Sequence, residues 1–488
     1  MNEITFVDTT LRDGHQSLWA EGMRTGMMLA VAEQIDRAGF EGIELISSSH
    51  LKKSVRELKE DPWERIRLVA QRVKKTPLRL IAGRVNAFEI TPDSVYRLFI
   101  ERMAANGIRQ ARISDEWNQL SGWRKKVEIA RSAGLDPIVN LIYSVSPKHT
   151  DQYYAQKARE AAALKPYRLC LKDPGGLLTP ERVQPLVPLI LQNNNSIPLE
   201  LHTHCNTGLG PLCCVEAIKL GVKIINTAVP PLANGSSNPS VFNVVKNARA
   251  LGYTPLIDEQ ALKSVEEHFT YIAKREGLPI GAPAEYDHSQ YLHQVPGGMI
   301  SNLRHQLRLV GMEDKIEATL EECARVRAEF GYPIMVTPLS QFVGSQAAIN
   351  VIVGERYKEV TDQVIQYALG LWGKEGAELM DRNIKDRILS RPRARQWINC
   401  KPPEPSLKEV RRQFGGAGVL DEELVLRVFA GEDAVKAMLA AGAPQEYLSA
   451  RRPLVKLIEE LSKKTDYRQI YVQKGSLAIH LGQTLIRR

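Results

Sequence analysis

The sequence predicts an α/β fold, a (β/α)8 TIM barrel followed by a mainly helical C-terminal domain. Three observations lead there. Short β-branched segments alternate eight times with longer amphipathic ones before about residue 265. No GxGxxG follows the first of them, as a dinucleotide-binding open sheet would require. Polar, chemistry-bearing residues collect just past the ends of several segments, where a barrel keeps its active site.

In chain order the expected strands are ITFVD (4–8), GIELIS (42–47), LRLIAG (78–83), ARISD (111–115), PIVNLIYS (137–144), YRLCLKD (167–173), PLELHTH (198–204) and KIINTAV (223–229). Between them, RTGMMLAVAEQIDRAG, PDSVYRLFIERMAANG and LGPLCCVEAIKLG carry apolar residues at helical spacing and end in Gly, a helix stop. The expected division is a barrel over 1–280, a helical extension over 281–400 that completes the active site, and a small region over 401–488. The Pro-rich NCKPPEPS (399–406) marks the last boundary.

Composition narrows the class. The chain has 488 residues, 43% hydrophobic and 25% charged, enough for one large and one smaller domain. No apolar run approaches the roughly 18 residues of a membrane span, and charges occupy the place of a signal peptide's apolar core. Six cysteines form no CxxC pair, so they read as reduced thiols and the chain as cytoplasmic. The net charge of +9 is spread among acidic residues without interleaved aromatics, which argues against a nucleic-acid groove.

The candidate chemistry begins in DTTLRDGHQSL (8–18), directly after the first strand, where Asp13 and Gln16 fall on the catalytic face. Lys172 ends the sixth strand. In LELHTHCNTG, His202 and His204 are two apart on the seventh, so both imidazoles point the same way. Two histidines and one carboxylate with open positions suit a catalytic divalent ion such as Zn, Mn or Co. Lys172 cannot ligate as an ammonium; it is a salt-bridge partner of Asp173, or, carboxylated to a carbamate, an anionic ligand. Arg12 is either an ion-pair partner of Glu44 or a cation facing an enolate oxygen.

DTTLRDGHQSL, LKDPGGLLTPERV, LELHTHCNTG, VPGGMISNL (295–303) and VTPLSQFVG (336–344) together resemble the carboxyltransferase component of biotin-dependent 2-oxo acid carboxylases. Pyruvate carboxylase, the oxaloacetate decarboxylase alpha chain and the transcarboxylase central subunit belong to that family. The resemblance runs from residue 3 to about 430. It implies that Asp13, carbamylated Lys172, His202 and His204 hold the metal, with Arg12 and Gln16 beside the substrate. Thr337 would match a proton-relaying threonine, and Ser340 a residue near the biotin ring. A plainer reading of Thr337 is a helix cap before Pro338.

Three stretches depart from the family. LIAGRVN stands where the family reads close to LLRGAN, so Arg84 is a displaced candidate for the substrate-carboxylate arginine. ISSSHLKK (46–53) replaces Gly-Gly-Ala-Thr-Phe-Asp, and Ser114-Asp115 replaces Phe-Asp. The chain ends SLAIHLGQTLIRR without Ala-Met-Lys-Met, so biotin is expected on a separate carrier protein, with a separate biotin carboxylase subunit. A homodimer is also implied. The alternatives are a biotin-independent carbon–carbon lyase or synthase of the same barrel superfamily, and an inactive scaffold subunit. Intact Asp13, Lys172, His202 and His204 oppose the scaffold; the VPGG and VTP motifs oppose the lyase.

Overall fold

The computed structural model describes residues 2–83, 91–295, 300, 303–304, 307–398, 400, 404–416, 418–447, 457, 461, 469–475 and 477–482. Eight strands form a ring: β1 (Glu3–Asp8), β2 (Gly42–Ser47), β3 (Leu78–Ala82), β4 (Ile108–Ile113), β5 (Asp136–Ile142), β6 (Arg168–Asp173), β7 (Leu199–Thr203) and β8 (Ile224–Thr227). All are parallel, and β1 pairs with both β2 and β8, which closes the barrel. Helices cover its outside. Phe6, Leu45, Leu80, Ile113 and Leu201 on the outer strand faces share one apolar layer with Ile35, Val69 and Phe99 of the helices.

The barrel interior is ionic where many barrels stack aliphatic side chains. Residues paired across parallel strands face the same side, and Glu44 pairs with Arg79, Arg79 with Gln110, and Cys170 with Glu200. Arg79 donates to Glu200 at 2.8 Å and to Gln110, while Arg112 bonds Glu44. Arg79, Arg112, Glu44 and Glu200 are all 0% exposed. This layer also explains why β4 begins at Ile108 and not at Ala111, as expected from sequence. Gln110 points inward beside exposed Arg109, and two consecutive polar side chains break the apolar pattern by which strands are recognised.

A helical extension with its own core follows, built around Leu339, Val343, Tyr357, Tyr367 and Trp372. It stands on the C-terminal face of the barrel: Arg327, 4% exposed, donates to Ser144 Oγ (2.9 Å) and the Val145 carbonyl (3.1 Å) just past β5. The helices Leu407–Gln413, Asp421–Ala430 and Glu432–Ala440 then return to the barrel. Phe429 meets Phe99 at 5.7 Å, edge to face, and Val410, Leu424 and Val425 join the barrel's outer layer. An antiparallel hairpin pairs Gln469–Lys474 with Leu477–Gly482.

Removing one partner from the interior layer leaves a buried charge uncompensated, at a cost of about 3–5 kcal/mol, whereas removing both is far milder. Glu200→Leu should therefore lower the urea midpoint sharply. The double variant Arg79→Met/Glu200→Leu should recover at least half of that loss.

Candidate metal centre

β7 brings His202 and His204 to the barrel mouth, and the turn after β1 brings Asp13 against them. Asp13 Oδ2 lies 3.0 Å from His202 Nε2 and 3.2 Å from His204 Nε2, and the two Nε2 atoms are 3.3 Å apart. Among the described residues these three form the one group suited to a metal ion.

Hydrogen bonding at the far side of each ring sets its tautomer. His204 Nδ1 is 2.7 Å from the Ser236 carbonyl, which can only accept, so Nδ1 carries the proton and Nε2 presents a lone pair. His202 Nδ1 is 3.1 Å from Asn226 Oδ1, which also accepts from Arg112 (2.7 Å). Arg112 Nη1, which can only donate, also lies 3.1 Å from that Nδ1, so Asn226 and Arg112 favour opposite tautomers; the Asn238 amide nitrogen, a donor 3.4 Å from His202 Nε2, favours the one with its lone pair on Nε2. Two lone pairs cannot bond each other at 3.3 Å, and their convergence with a carboxylate oxygen fits a cation between them. Ligands about 2.0–2.1 Å from such an ion stand roughly 3.0–3.4 Å apart, which matches the three separations.

Charge at the centre is fixed by its neighbours. Burial pushes the Asp13 carboxyl up, but it is held well below the usual carboxylate range, the Arg12 guanidinium beside it being the largest lowering influence. Burial and the nearby Arg112 guanidinium lower His202 to about 3, so it stays neutral, as a ligand must. Ser17 donates to the second Asp13 oxygen at 3.1 Å.

Arg12 is 4% exposed and takes the first of the two roles that the sequence left open, the ion pair with Glu44. Nε and Nη2 bond Glu44, Nη2 also lies 2.8 Å from Asp13, and Nη1 donates to Gln16 Oε1 at 3.2 Å. A guanidinium has five N–H donors. One, on Nη1, is left for a ligand beside the metal centre.

Lys172 pairs in register with His202 and faces the interior. Burial, with Arg112 and Arg12 close, lowers its ammonium to about 8. Its neighbour Asp173 faces the other way and accepts from the Leu177 and Leu178 amides and Thr203 Oγ1, so the Lys172–Asp173 salt bridge does not form. Thr337 is exposed in the extension, and Ser340 is buried in the helix Leu339–Val353. Neither hydrogen-bonds to the metal cluster among the described residues. Pro338 holds the N-cap position and no side chain caps that helix, so the capping role suggested for Thr337 is not taken. Arg84 lies outside the described residues.

Glu44's double load, Arg112 and Asn226 went unassigned from sequence. The available signal was a charge or amide at every second position of otherwise apolar strands. Burial would raise the Glu44 carboxyl, yet Arg112 and Arg12 bring it to about 2.

Two family models match the chain: one described as HMGL-like, over residues 3–268, and one described as a conserved carboxylase domain, over 291–468. A pyruvate carboxylase subunit of Methanothermobacter thermautotrophicus is 35% identical over 87% of this chain and 75% of its own length. The 2-oxoglutarate carboxylase large subunit of Hydrogenobacter thermophilus is 33% identical over 79% of this chain and 60% of its own length. Among solved structures, the carboxyl transferase domain of Rhizobium etli pyruvate carboxylase with pyruvate and biocytin superposes with a TM-score of 0.80 at 22% identity. That match covers 90% of this chain and 78% of the other, and it bears out the barrel with its helical extension. The chain thus belongs to the carboxyltransferase family of the biotin-dependent carboxylases.

Proposed function

We propose that this chain moves a carboxyl group between carboxybiotin, held by a separate carrier protein, and a 2-oxo acid. One observation carries the reading: three ligand atoms converge at the barrel mouth with a free Arg12 N–H beside them. A carbon–carbon lyase would leave the carboxylase-domain match over 291–468 without a role.

Asp13, His202 and His204 would hold a divalent cation, and Lys172, in register with His202, would supply a fourth ligand as its carbamate. When bound, the cation draws electrons from the ketone oxygen and eases proton removal from the adjacent carbon. Arg12 donates its remaining N–H to the oxygen that gains charge, in a site shielded from water. Gln16, held by Arg12, orients the substrate. Thr337 passes the proton from the acceptor carbon to the ring nitrogen that carboxybiotin bares on losing CO2. A hydroxyl can accept and donate in one step. The enolate carbon then takes up the CO2. Ser340 lies on the biotin side and Arg84 on the acceptor carboxylate.

Biotin carboxylase and carrier act as separate chains, a reading supported by relatives that are themselves subunits of larger enzymes. The working unit is a homodimer in the cytoplasm. Six free cysteines suit a reducing compartment, and no described helix is long and apolar enough to cross a membrane.

Three outcomes are expected. Purified protein retains about one divalent ion per chain. It releases pyruvate from oxaloacetate when free biotin is added, a chelator stops the release, and His202→Ala neither holds the ion nor turns over. Lys172→Ala loses both metal retention and turnover; full activity in that variant would remove Lys172 from the ligand set. Thr337→Ala lowers kcat by about 10²–10⁴ with KM little changed, and Thr337→Ser keeps most of the rate.

A further inference from the structure

The loop after β2 carries polar groups that the metal centre does not use. Between Glu44 and Ile46 the register of β2 against β3 slips by one residue. Such a bulge re-aims the side chains that follow it. Glu44 pairs with Arg79, and Ser47 with Ile81. Arg79 and Ile81 are two apart on one strand and face one side. Ser47 therefore faces the barrel interior one layer above Glu44, at the mouth, and not the helical layer that strict alternation would give it.

Ser47 Oγ lies 2.9 Å from Ser49 Oγ and 2.6 Å from His50 Nδ1, and Ser49 Oγ donates to Glu21 Oε1 at 2.6 Å. Counting donors orients this chain. A carboxylate only accepts, so the single Ser49 proton goes to Glu21. Ser49 Oγ then accepts the Ser47 proton, and Ser47 Oγ accepts from His50 Nδ1–H. One lone pair of Ser47 remains, and His50 Nε2 is left as a bare acceptor. His50 is 1% exposed, and that nitrogen has no partner among the described residues. Both ring nitrogens of His15, whose ring meets His50 at 4.7 Å, are likewise unpartnered and buried. Buried polar atoms are as a rule hydrogen-bonded, so these nitrogens are acceptor or donor capacity that the described residues do not use.

We infer that Ser47, backed by His50, selects the carboxyl acceptor, favouring 2-oxo acids that carry a hydroxyl on the reacting carbon. The inference rests on the carboxyltransferase reading. With the ketone oxygen at Arg12, which Glu44 anchors, a substituent on the next carbon meets the wall above Glu44. That wall offers acceptors, so it welcomes a donor. Glu21, joined to the wall through Ser49, disfavours an acceptor with a second carboxylate.

The test needs no partner protein. Metal-loaded enzyme with free biotin in D2O is given pyruvate, hydroxypyruvate or 2-oxoglutarate, and loss of the C3 proton signal is followed by NMR above the enzyme-free background. A site built to bond a hydroxyl discriminates strongly against analogues lacking one. Hydroxypyruvate should exchange at least about tenfold faster in kcat/KM than either other acid, on the same grounds. Ser47→Ala should collapse that ratio through KM for hydroxypyruvate, and Ser47→Thr should retain it. A wild-type preference for pyruvate or 2-oxoglutarate, or a Ser47→Ala ratio equal to wild type, would overturn the inference while leaving the family chemistry standing. Absence of exchange with every acid would overturn the carboxyltransferase reading and this inference with it.

Discussion

One carboxylate, Glu44, organises the catalytic end of this barrel. It is 0% exposed and takes Arg12 from the turn after β1 and Arg112 from β4. Arg12 in turn reaches Asp13 and Gln16, and Arg112 reaches both Asn226 and His202. Asp13 and His202 are thus aimed by a chain of contacts that ends on a single acidic side chain, while His204 is held by the Ser236 carbonyl. Such an arrangement tolerates its desolvation penalty only because every oxygen of Glu44 meets a cation.

Much of the fold was legible because the eight strands and their helices obey simple periodicities, and because the strand-end rule turns order into location. Asp13, His202 and His204 were found on that basis alone. The limits have physical causes. The start of β4 was missed because Arg109 and Gln110 are consecutive polar residues, and a single sequence does not show that the partner of Gln110, Arg79, sits on the neighbouring strand. The bulge at β2 was invisible because register depends on both strands of a pair. Residues 407–440 read as the start of a separate region after the Pro-rich stretch, yet Phe429 belongs to the barrel's outer layer, a long-range contact that local composition cannot encode. Thr337 and Ser340 were singled out by resemblance alone, and their placement in the extension means that their bearing on the mouth depends on how the extension sits there.

That seating rests on a few directional contacts. Arg327 and Gln294 both bond the backbone just past β5, and Trp117 from the turn after β4 enters the extension's core. Polar anchors at one edge and an aromatic plug at the next constrain orientation more tightly than apolar area alone.

The ionic layer of Arg79, Glu200, Arg112 and Glu44 has a further bearing on traffic. It crosses the barrel beneath the candidate metal centre and so fills the axis with buried charged side chains. A small apolar molecule has nothing to dissolve in there. The axis is thereby closed from below. Whatever enters must leave by the same rim, so the sequence of arrivals and departures is governed by the loops around that rim.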